Sequence, residues 1–187
     1  LFKKKNKNIL DKSKTIYNLI IKQSRLKKFY TNLGVPDTVD GRFELIILHF
    51  FIIDNALDKK VKENEEIYKE ILEIMYKDFD MSLREMGVGD LSVGKKIYHM
   101  TEAFSGRVFA YRKFKENINK EKKKETIRKN IYGTLKEVDS TFINYMLLYI
   151  QDSLKFINNS SLNNISENNS IFLDLNRYIY IKKGNKD

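Results

Sequence analysis

Apolar residues recur every three or four positions through most of this chain, and the phase of that recurrence breaks it into helices. The first helix is expected over Ile9 to Leu33, with Ile16, Leu19, Ile20, Leu26, Phe29, Tyr30 and Leu33 on one face and Gly34 ending it. The run "VPDTVDG", which holds the sole proline, Pro36, reads as a loop. Asp40 or Gly41 opens a second helix, whose dipole would favour Glu44 in its first turn. Its stretch "LIILHFFII", Leu45 to Ile53, is apolar all round apart from His49 and should lie at the centre of the molecule. It falls well short of the roughly 20 residues needed to cross a bilayer.

A third helix is expected from Glu65 to Met86, where Ile67, Ile71, Leu72, Met75, Phe79, Leu83 and Met86 form a stripe, and Gly87 suits a left-handed cap after it. A fourth begins at Leu91 or Ser92 and runs to Lys115 through Val93, Ile97, Met100, Phe104, Val108 and Tyr111, with Gly106 marking close helix contact. The basic stretch "KEKKKETIRKN" leads through Ile127, Ile131 and Leu135 to a final helix, "STFINYMLLYIQDSLKFI". Beyond it "NNSSLNNISENNS" reads as a polar loop, and "IFLDLNRYIYIKK" as a strand pair or an extended packing segment. The fold class is therefore all-α: a single-domain bundle of about five to six helices, with a long polar loop and a short extended C-terminal segment. The helical domain takes 1–158 and the loop and tail 159–187.

Composition narrows the chemistry. A chain of 187 residues without cysteine has no disulfides, thiolate metal sites or cysteine nucleophiles. Its net charge of +10 favours anionic surfaces, RNA or lipid headgroups, without choosing between them. "LFKKKNKNIL" has a basic start but no apolar run after it, so it does not read as a signal peptide.

The segment "GDLSVGKK", Gly89 to Lys96, nearly matches a phosphate-binding loop, but Lys96 stands where a Ser or Thr would hold Mg²⁺. A helix rather than a strand precedes it, so a turn between helices is the better reading, with Ser92 as N-cap and Asp90 near the amino end. His49, amid apolar neighbours, reads as a hydrogen-bonded core histidine before a haem or metal ligand. His99 and Met100 are adjacent and point about 100° apart on a helix, which does not suit one iron. Asp78, Asp80 and Glu85 lack a Glu-x-x-His partner helix, and no G-x-S-x-G elbow exists. The eleven tyrosines and twelve phenylalanines suit core packing ahead of an RNA-stacking surface.

Two blocks carry a further signal. "FYTNLGVPDTVDGRFELIILHFFI", Phe29 to Ile52, and "FDMSLREMGVGDLSVGKKIYHMTEAFSGRVFAYR", Phe79 to Arg112, resemble the ubiquinol-cytochrome c chaperone family in order and in their polar runs, with "RKNIYG", Arg128 to Gly133, as a weaker third block. The resemblance implies a helical, non-enzymatic assembly factor with no cofactor that holds newly made cytochrome b before it joins the cytochrome bc1 complex. It also implies work near the ribosome or an anionic membrane, with a small partner protein in mitochondrial relatives and no DNA. The implied location is the bacterial cytoplasm at the inner membrane, or the mitochondrial matrix side in a eukaryote. Helix propensity least requires the polar runs, so Asp37, Asp40, Arg42, Arg84, Glu85, Asp90, Lys95 and Arg107 are candidates for a partner surface. A competing reading has Asp40, Asp90 and Arg84 capping helices and pinning the two loops together. Lys3, Lys4, Lys5 and Lys7 are candidates for membrane or ribosome contact. A basic RNA- or ribosome-binding helical module and a P-loop-like enzyme stand as rival classes.

Overall fold

The computed structural model describes residues 7–58, 60–158 and 171–178. In chain order the α-helices are α1 (Lys7–Ser24), α2 (Lys27–Thr31), α3 (Val39–Ala56), α4 (Lys62–Glu85), α5 (Asp90–Glu116), α6 (Lys120–Ile131) and α7 (Ser140–Asn158), followed by a single 3-10 turn, Leu175–Tyr178. No strand occurs among the described residues. The expected all-α bundle is what the chain forms.

Helix α3 is the axis. Leu45, Ile47, Leu48, Phe50, Phe51, Ile52 and Ile53 are all buried, because α1, α5, α6 and α7 pack around it while α4 lies against α1 and α5. Each large apolar side chain removed from water in this way contributes about 1.5–3 kcal/mol. The aromatic residues follow the core reading. Among the described tyrosines only Tyr98 is exposed, while Tyr17, Tyr111, Tyr132, Tyr149 and Tyr178 are buried.

The ends of these helices explain much of the polar sequence. Thr38 caps α3, its hydroxyl accepting the Gly41 N–H at 3.1 Å. A Cβ at Gly41 would lie 2.0 Å from the Pro36 carbonyl oxygen, so the loop folds back on the first turn only because glycine stands there. At the end of α4 Gly87 takes φ 80°. Its N–H donates to the Arg84 carbonyl at 2.9 Å and the Val88 N–H to that of Leu83 at 3.0 Å, closing the left-handed cap that the sequence predicts.

Three expectations need correction. The first helix is broken at Arg25–Leu26, because the Ser24 carbonyl accepts the Tyr30 hydroxyl at 2.7 Å and Leu26 is extended, with ψ 120°. Ser92 is not the cap of α5: the helix starts at Asp90 with Gly89 before it and no side-chain cap. Gly106 marks no close helix contact, since a Cβ there would meet open space.

At the C-terminus Ile171, Phe172, Leu175 and Tyr178 pack into the same core, with the Tyr178 hydroxyl donating to Asp152 at 2.9 Å. Leu175–Tyr178 form a 3-10 turn where a strand pair or extended segment was expected, while Ile171 and Phe172 before it pack without helix or strand, in keeping with the extended alternative. The polar loop 159–170, the tail 179–187 and Lys3, Lys4 and Lys5 lie outside the described residues.

Candidate functional site

His49 sits inside the bundle with none of its surface exposed. Its Nδ1 is 2.7 Å from the Leu45 carbonyl, which can only accept, so that nitrogen carries the proton. Nε2 then accepts the Tyr149 hydroxyl at 2.8 Å, and Tyr149 accepts the Gln23 amide at 3.0 Å. Burial drives the imidazole pKa down to about 3, so it is neutral and structural, tying α1, α3 and α7 together. His99, by contrast, is exposed on α5 and lies 3.3 Å from Glu102. Among the described residues no group of three or more His, Asp or Glu is placed to hold a metal ion.

The surface around the amino end of α3 is concave. One cleft, of about 290 Å³, opens between the α1–α2 corner, α3 and the end of α4, and is walled by Val39, Phe43, Ile46, Leu83, Met86 and Met100 with Arg42 and Glu85 on its rim. A second, of about 530 Å³, opens between α3, α5 and the end of α6, lined by Asp40, Glu44, Lys96, His99, Arg107 and Asn130. Val39, Phe43, Leu83 and Met100 line both. The two clefts therefore adjoin across these four side chains, making one grooved surface with apolar walls and charged residues at its edges. Val39 and Met86 are about half exposed, at 53% and 52%.

Four of the sequence-derived candidates line this groove. Arg42 and Glu85 line the first cleft, Asp40 and Arg107 the second. Asp37 accepts from Arg42 Nε at 2.9 Å, both side chains standing in solvent. Arg84 grips Asp80 through Nε at 2.6 Å and also pairs with Asp90, so it fastens the α4–α5 corner. No ion pair among the described residues joins the loop around Asp37 to that around Arg84, so the two loops are not pinned in that way. Asp40 lies one position inside α3 and favours its dipole, while Thr38 caps it. Lys95 is exposed on α5 and Lys7 at the start of α1.

Sequence reasoning misplaced one residue in this group. Glu44 does not simply serve the helix dipole: it is buried, and Arg107 reaches it with Nε at 2.9 Å and a terminal nitrogen at 2.8 Å. Burial pushes the Glu44 pKa up, and Arg107 opposes that shift. A similar link follows on the same two helices, where Arg112 pairs with the buried Asp54 at 3.1 Å. The available signal was an acid at each end of an all-apolar helix, which burial obliges to find a cation.

The segment Gly89 to Lys96 is the α4–α5 corner and the first turns of α5, and a helix lies where a phosphate-binding loop would need a strand. An apolar, charge-rimmed concavity on a helical protein is the kind of surface that marks an interaction site. The chain matches the family described as ubiquinol-cytochrome C chaperone over residues 31–172, and so belongs to that family. Its fold is similar to the crystal structure of the Cbp3 homolog from Brucella abortus, with a TM-score of 0.76, 26% identity, and coverage of 89% of this chain and 91% of that one. No curated protein matches the chain. Membership of a chaperone family implies a role other than catalysis, in assembly of the cytochrome bc1 complex. No described helix is long and apolar enough to cross a membrane.

Proposed function

We propose that this protein is an assembly chaperone that binds newly made cytochrome b and promotes its incorporation into the cytochrome bc1 complex, and that the joined groove is where the client lies. The observation that carries the reading is the groove itself, whose walls come from α3, α4 and α5 inside the family-matched region. A membrane segment awaiting insertion needs an apolar floor that conforms to varied side chains, and Met86 and Met100 supply flexible, polarizable contact. The rim charges Asp40, Arg42, Glu85 and Arg107, together with Asp37, Arg84, Asp90 and Lys95 outside the two clefts, are assigned to the client's polar flanks. The N-terminal lysines are assigned to an anionic membrane or the ribosome, which puts the protein at the inner membrane or, in a eukaryote, on the matrix side. A small partner protein is an additional occupant to seek in mitochondrial relatives.

The test is a photo-crosslinking residue at Met86 in the native cells, with Leu148 on the outer face of α7 as control, and identification of what is captured. Cytochrome b from Met86 and not from Leu148 is expected. Capture of ribosomal RNA with no cytochrome b would transfer the protein to the class of RNA-binding modules.

A further inference from the structure

The second cleft has chemistry that an apolar client does not need. Glu44 is 5% exposed, and both contacts from Arg107 go to Oε1, which leaves Oε2 buried without a hydrogen-bond partner. Across the same cleft the Asn130 side-chain nitrogen is also buried without one. A buried acceptor and a buried donor without partners, on two residues that line one concavity, are expensive in the free protein. The expense is recovered when incoming groups bond to them.

We propose that the cleft between α3, α5 and α6 is a polar subsite of the client groove, taking an uncharged hydrogen-bonding side chain, an amide or a hydroxyl, carried by the otherwise apolar client segment. This rests on the reading of the groove as the client site and adds the chemistry of one position along it. An amide or hydroxyl both donates and accepts, so it has the chemistry that both Glu44 Oε2 and the Asn130 amide nitrogen lack. At Glu44 Oε2 charge selects against ionised side chains: Arg107 already balances Glu44, so an added cation would meet Arg107, Lys96 and Lys129, and an added anion, although drawn to those lysines, would meet the unpartnered carboxylate oxygen. Continuity selects a segment rather than a free small molecule, because Phe43, Leu83 and Met100 form a shared wall across which one chain can lie in both clefts.

The experiment uses the full chain with a photo-crosslinking residue either at Met86, in the first cleft, or at His99, on the second, each combined with Asn130→Leu or Asn130→Gln. Since the Asn130 amide nitrogen donates to nothing in the free protein, N130L should melt no lower than wild type. Cytochrome b should be captured from both positions. N130L should lower capture from His99 about tenfold, as expected for a buried hydrogen bond to the client, and N130Q should restore part of it. Capture from Met86 but not from His99, or capture from His99 unchanged by N130L, overturns the subsite and leaves the cleft to water. An N130L protein that melts several degrees lower overturns it too, because Asn130 would then be serving the fold. Failure of both positions to capture cytochrome b removes the chaperone reading and the subsite with it.

Discussion

Acidification from pH 7 to pH 5 should destabilise this protein by about 2 kcal/mol through His49 alone. The imidazole is fully buried with a pKa of about 3, whereas in the unfolded chain it titrates near its ordinary value of 6.5. A histidine whose folded pKa is depressed contributes stability that is fully present above the unfolded pKa and is lost as pH falls. Here the window runs from about 6.5 down to about 3, because over it the unfolded chain takes up a proton that the native one refuses. Each pH unit is worth about 1.4 kcal/mol, so about 2 kcal/mol is gone at pH 5. That figure does not depend on the folded pKa as long as it stays below about 4. No carboxylate stands in the hydrogen-bonded shell of Ser24, Leu45 and Tyr149 to rescue the charged form. The assay is urea unfolding at pH 7, 6 and 5 on wild type and on His49→Gln. The variant starts less stable, since it disturbs the Gln23–Tyr149–His49–Leu45 chain, but it lacks the titration. The difference in free energy between the two proteins should therefore shrink by about 2 kcal/mol between pH 7 and pH 5. A constant difference across that range would show that His49 reaches solvent or finds an anion, and would refute the argument.

Arg107→Ala leaves Glu44 buried without its cation and should cost about 2–4 kcal/mol at pH 7 in denaturant unfolding; burial raises the Glu44 pKa and the variant loses the guanidinium that opposes this, so the native carboxyl takes up its proton before the unfolded one and the deficit narrows as the pH falls. Gly41→Ala should cost more than about 3 kcal/mol or prevent folding, because the new methyl meets the Pro36 carbonyl; calorimetry showing a wild-type melt would sink that reading of the loop. Arg84→Ala and Asp90→Ala should melt with wild type, since their ion pairs stand in solvent, yet lose cytochrome b in pull-downs; stable variants that retain it would remove both residues from the partner surface. Deleting Leu1 to Asn8 should weaken sedimentation with anionic liposomes by about 1 kcal/mol for each lysine removed, and unchanged binding to both liposomes and ribosomes would end that assignment.

The period of the apolar residues reveals α4 and α5, each of which buries one face, α3 and α7 stand out as long apolar runs, and Gly87 is legible because only a left-handed cap needs it there. The break after Ser24 was not legible. Leu26 and Phe29 keep the helical phase through it, and the bonds that stabilise the corner come from Tyr30 and from His49, which is 25 residues away. Ser92 has cap chemistry, yet the Schellman turn at Gly87 already sets where α5 begins. For the site, sequence alone picked out residues on the rim of both clefts, but it could not join the clefts or separate pairs made for the fold from groups left open. Glu44 shows why: its partner Arg107 is 63 residues away, and only their meeting shows which oxygen is used and which is spare.

The enclosure of α3 carries a consequence for how the protein is made. Its cover arrives from both directions along the chain, and α7, which seals one side, lies roughly a hundred residues downstream; at synthesis rates of about 5–20 residues per second, α3 waits on the order of 5–20 s for it. During that interval the emerging chain presents "LIILHFFII" to the surrounding medium, an apolar stretch much like the ones such a chaperone shields in others. A protein of this design is briefly exposed in the way proposed for its client, and a messenger truncated before Ser140 would make that condition permanent.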